Sequence, residues 1–109
     1  MFYKSEVNGY RDALEKIKLK TLVYGEKTLL AEFKLDKGAV LPRHKHSHEQ
    51  TGYLVSGSID LTIGGTTHQV APGDSWCIPG NIEHSAVVHE NSVAIEVFSP
   101  VREDYLPPR

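Results

Sequence analysis

The sequence predicts an all-β fold, a sandwich or barrel. Short segments rich in apolar and β-branched residues recur along it, and glycine, proline and polar clusters punctuate them at short, regular intervals. One segment alternates strictly. Ile59, Leu61 and Ile63 interleave with Ser58, Asp60 and Thr62, the pattern of a half-buried strand.

The first ambiguous stretch is 10–20. As a helix it would place Leu14, Ile17 and Leu19 roughly on one side; as a strand it would alternate Ile17, Leu19, Thr21 and Val23. We expect strand from Ile17 onward. Residues 21–24 and 28–33 read as strands joined tightly through Gly25, Glu26 and Lys27, and Gly38 closes that unit. Residues 53–55 precede a break at Ser56-Gly57. Gly64-Gly65 suits a two-residue hairpin turn, because glycine accepts positive φ at both central positions, and 66–70 is the returning strand. Pro72-Gly73-Asp74 and Pro79-Gly80 mark further turns. Strands at 85–89 and 93–98 finish the series. The tail 106–109, with its two prolines, cannot join a central strand and is expected to be exposed.

With 109 residues, the chain is read as one domain spanning 1–109, its conserved-looking barrel core at about 20–100. The formal charge of −2, with both signs interspersed, offers no electrostatic reason to expect nucleic acid or a membrane surface as partner. No apolar run approaches the roughly 18 residues of a membrane span. The opening residues lack the apolar stretch of a signal peptide, so a cytoplasmic location is expected. The single cysteine, Cys77, agrees with a reducing compartment. It reads as a small buried residue and not a nucleophile, having no basic neighbour in sequence.

Six histidines stand out. His44 and His46 are two apart. On a strand both imidazoles would share one face, and inside a narrow barrel they would converge on one ion at about 2.0–2.1 Å. The alternative is a solvated polar loop. Around this pair the chain sets Gly38, Gln50 and Gly57, and further on Gly73, Pro79 and His84.

This arrangement resembles the two motifs of the cupin family: glycine, His-x-His, Glu or Gln, glycine; then glycine, proline, histidine. The resemblance implies a double-stranded β-helix, a jelly-roll barrel, with one metal ion at its mouth. By position it implies His44, His46, Gln50 and His84 as ligands to a divalent transition metal such as Ni, Mn, Fe, Zn or Cu. Glu49 is the weaker alternative to Gln50. Most cupins have Glu where this chain has Gln50. A neutral amide leaves the ion its full charge, which favours Lewis-acid work on an anionic ligand and disfavours dioxygen chemistry. His48 is expected beside the site, and His68 and His89 to be structural or surface residues.

Residues 46–53, 72–81 and 96–105 are further similar to the pectin-degradation cupins of the KdgF type. That resemblance implies conversion of cyclic 4,5-unsaturated uronates, released by polysaccharide lyases, into linear keto sugar acids. Glu96 and Phe98 share a strand face expected to be interior. A carboxyl in an apolar strand costs several kcal/mol unless paired or functional, and its raised pKa suits proton transfer. We therefore expect Glu96 to move a proton, Arg102 to grip the substrate carboxylate with paired hydrogen bonds, and Phe98 to shape the pocket. Glu96 is one methylene longer than the aspartate usual in that group. The competing expectations are a cupin isomerase or dioxygenase acting on another small substrate, and a non-catalytic binding or sensor module. A homodimer pairing barrel edges is expected from the family.

Overall fold

The computed structural model describes residues 1–106, so the expectation for 107–109 lies outside the described residues. Eight antiparallel strands are found among them: β1 (Arg11–Leu14), β2 (Ile17–Tyr24), β3 (Leu29–Leu35), β4 (Val40–His44), β5 (Glu49–Ile63), β6 (Thr66–Val70), β7 (Ser75–Ile78) and β8 (His84–Ser99). A short 3-10 turn, Glu103–Tyr105, follows. No helix among the described residues is long and apolar enough to cross a membrane.

The long strands β5 and β8 pair along nearly their whole length and organise the rest. The first half of β5 lies between β7 and the second half of β8, which in turn pairs with β3. The second half of β5 lies between β6 and the first half of β8, which pairs with β4. Each long strand thus serves two layers, which is how one jelly roll is wound. The change of layer falls where the register shifts between Leu54 and Ile59.

Gly57 permits that bend. Its φ is +102°, and a Cβ there would lie 2.0 Å from Ser92 Oγ and 2.6 Å from Ser92 Cα. The expected break at Ser56-Gly57 is therefore a bulge inside one strand. The segments expected at 85–89 and 93–98 likewise belong to a single strand, β8.

The helical alternative for 10–20 is not adopted. Strand begins at Ile17 as expected, but β1 precedes it and pairs with it across a turn at Glu15-Lys16. In the Gly64-Gly65 turn only Gly64, at φ +61°, is left-handed. The core between the layers includes Ile17, Leu54, Ile59, Leu61, Val88 and Ala94. A smaller cluster of Leu29, Ala31 and Phe98 is capped by Tyr105 and Leu106, which brings the C-terminal segment to the barrel mouth. Burying each large side chain contributes about 1.5–3 kcal/mol.

Candidate metal centre

At the barrel mouth the ring nitrogens of His44, His46 and His84 all lie within 4.8 Å of one another. His44 ends β4, His84 begins β8, and the two sit opposite each other in the β4–β8 register. His46 lies in the loop beyond β4, which ends at His44. The two histidines are thus not brought together by strand alternation as expected; a chain turn aims His46 inward.

Each ring is oriented by the backbone. The Nδ1–H of His44 donates to Pro42 O at 2.8 Å, that of His84 to Ile82 O at 2.9 Å, and that of His46 to His48 O at 3.1 Å. These bonds leave all three Nε2 atoms as lone-pair donors. Burial lowers the pKa of His46 and His84, and the Arg102 charge adds to this, so both rings favour the neutral state.

Two observations fit a cation here. His84 Nε2 is buried without a hydrogen-bond partner. Gln50 Oε1 lies 3.1 Å from His46 Nε2, close enough for the two atoms to share one cation or a proton. The Gln50 oxygen faces this way because its nitrogen is committed elsewhere: Nε2 donates to Glu96 Oε1. Glu49, the alternative ligand, is exposed, and its carboxylate faces Cys77 Sγ on the outside of the sheet.

Glu96 is 8% exposed and faces inward with Ala94 and Phe98. It accepts from Gln50 and, at 2.9 Å, from Trp76 Nε1, both at the same oxygen. Burial pushes the Glu96 carboxyl up; the two hydrogen bonds and the Arg102 charge oppose this without cancelling it. Arg102 stacks over Tyr105 and Phe98, 4.0 and 5.1 Å from their ring centres. Its Nε and Nη2 edge is taken by Asp104, at 3.1 and 2.7 Å. Asp104 is in turn tied through its carbonyl to Arg11 on β1, at 2.8 Å.

A cavity of about 630 Å³ joins His44, His84, Gln50, Glu96, Arg102 and Asp104, with Trp76, Ile78 and Tyr105 among its walls. Phe98 does not line it. At 1% exposure Phe98 packs edge-on behind His46, 6.0 Å between ring centres, and supports the site from beneath instead of shaping the pocket as expected. Trp76, Asp104 and Tyr105 also line the cavity; they fall within the segments 72–81 and 96–105 that carry the resemblance, but no spacing gave them a role of their own.

The remaining expectations divide. His48 lies beside the site, its ring edge-on to His46, with Nδ1 buried and unpartnered. His68 is exposed on β6. His89 is exposed in the middle of β8, 3.0 Å from Asp60. Cys77 is exposed and not buried, because the alternation of β7 turns Trp76 and Ile78 inward. Partial loss of water around the thiol and the nearby Glu49 carboxylate raise its pKa, which agrees with an unreactive thiol.

An antiparallel jelly-roll barrel with three inward imidazoles at its mouth defines a class of protein whose mouth could hold a metal ion. The family comparison agrees: residues 31–99 match the cupin domain, and the chain belongs to the cupin family. The pectin degradation protein KdgF of Dickeya dadantii (strain 3937) is 34% identical over 107 residues, covering 96% of this chain and 97% of that protein. The solved structure of KdgF from Halomonas sp. superposes with a TM-score of 0.91 at 31% identity, over 97% of this chain and 98% of that one. An RmlC-like cupin from Shewanella frigidimarina gives a TM-score of 0.91 at 30% identity, over 96% and 95%.

Proposed function

We propose that this cupin is a metal-dependent enzyme converting cyclic 4,5-unsaturated uronates, the products of polysaccharide lyases, into linear keto sugar acids. One observation carries the proposal. A buried carboxyl, Glu96, opens on the same cavity as His44 and His84 of the imidazole triad and is hydrogen-bonded to Gln50, the fourth donor. Likeness to KdgF along almost the whole chain supports the substrate class.

A divalent transition metal held by His44, His46, His84 and Gln50 would supply Lewis acidity toward a substrate oxygen. The chain's own residues do the rest. Ring opening passes the anomeric hydroxyl proton to a base and breaks the C1–O5 bond, leaving an aldehyde and an enolate. The same proton delivered to C4 then turns the enolate into the ketone. The reaction is an isomerisation and needs no co-reactant. Glu96 is placed to move this proton. Its Oε1 is held by two N–H donors, which leaves Oε2 to carry the proton, and burial favours the protonated form. Arg102 still has its Nη1 and Nη2 edge after Asp104 has taken the other, and that edge suits a sugar carboxylate. Trp76 and Tyr105 offer flat apolar walls to the ring.

The test is direct. Metal-replete protein mixed with lyase-generated unsaturated uronate should abolish the ultraviolet absorbance of the conjugated double bond faster than the spontaneous reaction. No acceleration would overturn the proposal, and uronate binding seen by thermal shift without turnover would replace it with a sensor module. A homodimer is also part of the proposal: β1 ends the strand order, so its outer edge is open to a second copy.

A further inference from the structure

Trp76, Gly52 and Glu96 form one row across three strands. Gly52 of β5 is the register partner of Trp76 on β7 and of Glu96 on β8. Directly opposed residues of antiparallel strands point to the same face, so all three face the cavity. Between its two partners Gly52 contributes no side chain, and the indole fills the gap. A Cβ on Gly52 would lie 2.3 Å from both Cε2 and Nε1 of Trp76. Lying over the glycine, the indole reaches across β5 and donates to Glu96 Oε1 at 2.9 Å. The next row on the same face is Ile78, Gln50 and Phe98, which puts Gln50 diagonal to Glu96.

We propose that Trp76, seated over Gly52, is a positioning residue: by fixing Oε1 of Glu96 as an acceptor it commits the Gln50 amide nitrogen to Glu96, and so turns the Gln50 oxygen toward the three imidazoles. The inference rests on the metal-site reading above. An amide presents an oxygen or a nitrogen equally well by a half-turn, and only the oxygen can bind a cation. A carboxyl oxygen that already receives an indole N–H stays an acceptor whether or not the other oxygen is protonated. The arrangement is therefore indifferent to the proton that Glu96 carries. The positioning task falls on one oxygen and the proton-transfer task on the other.

The experiment measures metal affinity, by competition with a chromophoric chelator, for whichever of manganese, nickel, copper and zinc wild type holds tightest. Glu96→Gln keeps an acceptor oxygen, and the indole N–H selects it over the new amide nitrogen, so its affinity should match wild type while turnover is lost. Glu96→Ala removes the acceptor and should weaken the metal about tenfold or more. The decisive variant is Glu96→Gln combined with Trp76→Phe. With the indole N–H gone, the new amide is free to flip, and affinity should fall severalfold below both single variants. Gly52→Ala in the Glu96→Gln background, which displaces the indole while removing no polar group, should act in the same direction. Thermal melts check that each variant is folded.

Equal affinity in the folded double variant and in Glu96→Gln would overturn the inference, as would unweakened metal in folded Glu96→Ala. These outcomes leave the proposed reaction standing if wild type converts the uronate. A wild type that holds none of the four ions would instead bring down the metal site and this inference together.

Discussion

The amide of Gln50 and the carboxyl of Glu96 touch through a hydrogen bond between two buried side chains. The contact gives a local reason for glutamine at a position where most cupins have glutamate. Gln50→Glu would set two carboxylates against each other in a buried site, and one of them would have to take a proton. In the metal-free protein this variant should be less stable than wild type at neutral pH by about 1–3 kcal/mol. The difference should narrow in acid, where the shared proton is freely supplied. Urea unfolding at several pH values measures it. Unchanged stability at neutral pH would mean that the two groups do not meet.

Metal removal should be visible as lost stability. An ion held only by the folded state at a free concentration one hundred times its Kd contributes about 2.7 kcal/mol. For a chain of this size that is a rise in Tm on the order of 10 °C. Chelation should reverse the rise. His44→Ala, His46→Ala and His84→Ala should each abolish it, because each removes one of the three converging nitrogens. Thermal melts with and without ion test all four statements.

Arg102→Lys should not behave as a conservative change. The guanidinium binds Asp104 with one edge and stacks on Tyr105, and the proposed reaction assigns its second edge to the substrate anion. A lysine ammonium cannot do all three. KM for an acidic substrate should rise about tenfold or more, equivalent to about 1.4 kcal/mol, with a smaller change in kcat. Steady-state kinetics separates the two, and an unchanged KM would remove Arg102 from substrate binding.

Asp104 gives the C-terminal turn its pH dependence. Burial alone would raise its pKa, but the hydrogen bonds and charge of Arg102 hold it below the ordinary aspartate value. A carboxyl lowered in the folded state contributes stability that is complete above the ordinary value and fades as pH falls through the lowered one. Asp104→Asn should therefore be less stable than wild type at neutral pH, and the difference should vanish in strong acid. The carboxylate is largely exposed, so solvent screening keeps the effect modest. A gap that grew toward acid would contradict the pairing.

Much of this was legible in the residues, and the failures have physical causes. Turn dipeptides marked the hairpins, and alternation placed Glu96 and Phe98 on the inner face. β5 was divided because a bulge glycine looks like a terminator when its partner strand is unknown, and β8 because the polar run Glu90-Asn91-Ser92 interrupts its apolar pattern. β1 was missed because all four of its residues are exposed and carry no alternation. His44, His46 and His84 were identifiable through the match to the two cupin motifs, yet the irregular segment that carries His46 past the end of β4 is not encoded in a two-residue period. Trp76 acts through Gly52 and Glu96, which lie 24 and 20 positions away in sequence and become neighbours only by strand pairing. Asp104 meets Arg102 in an irregular segment, where no periodicity relates them.

Gly57 offers the sharpest test of the winding itself. Gly57→Ala would force an L residue to φ +102° and drive its Cβ into Ser92. Ser92 has little freedom to yield. It is 3% exposed, and its Oγ donates to Glu90 O at 2.7 Å while accepting from Ser58 N at 3.1 Å. Gly73 provides the control, since its φ is +94° but a Cβ there meets nothing within 4 Å. Gly73→Ala should carry only the conformational cost, about 1–2 kcal/mol. Gly57→Ala should add the clash and the lost hydrogen bonds, for a total of about 4 kcal/mol or more. Denaturant midpoints of the two variants give the comparison. If they prove equally stable, β5 does not cross β8 as closely as the jelly roll requires.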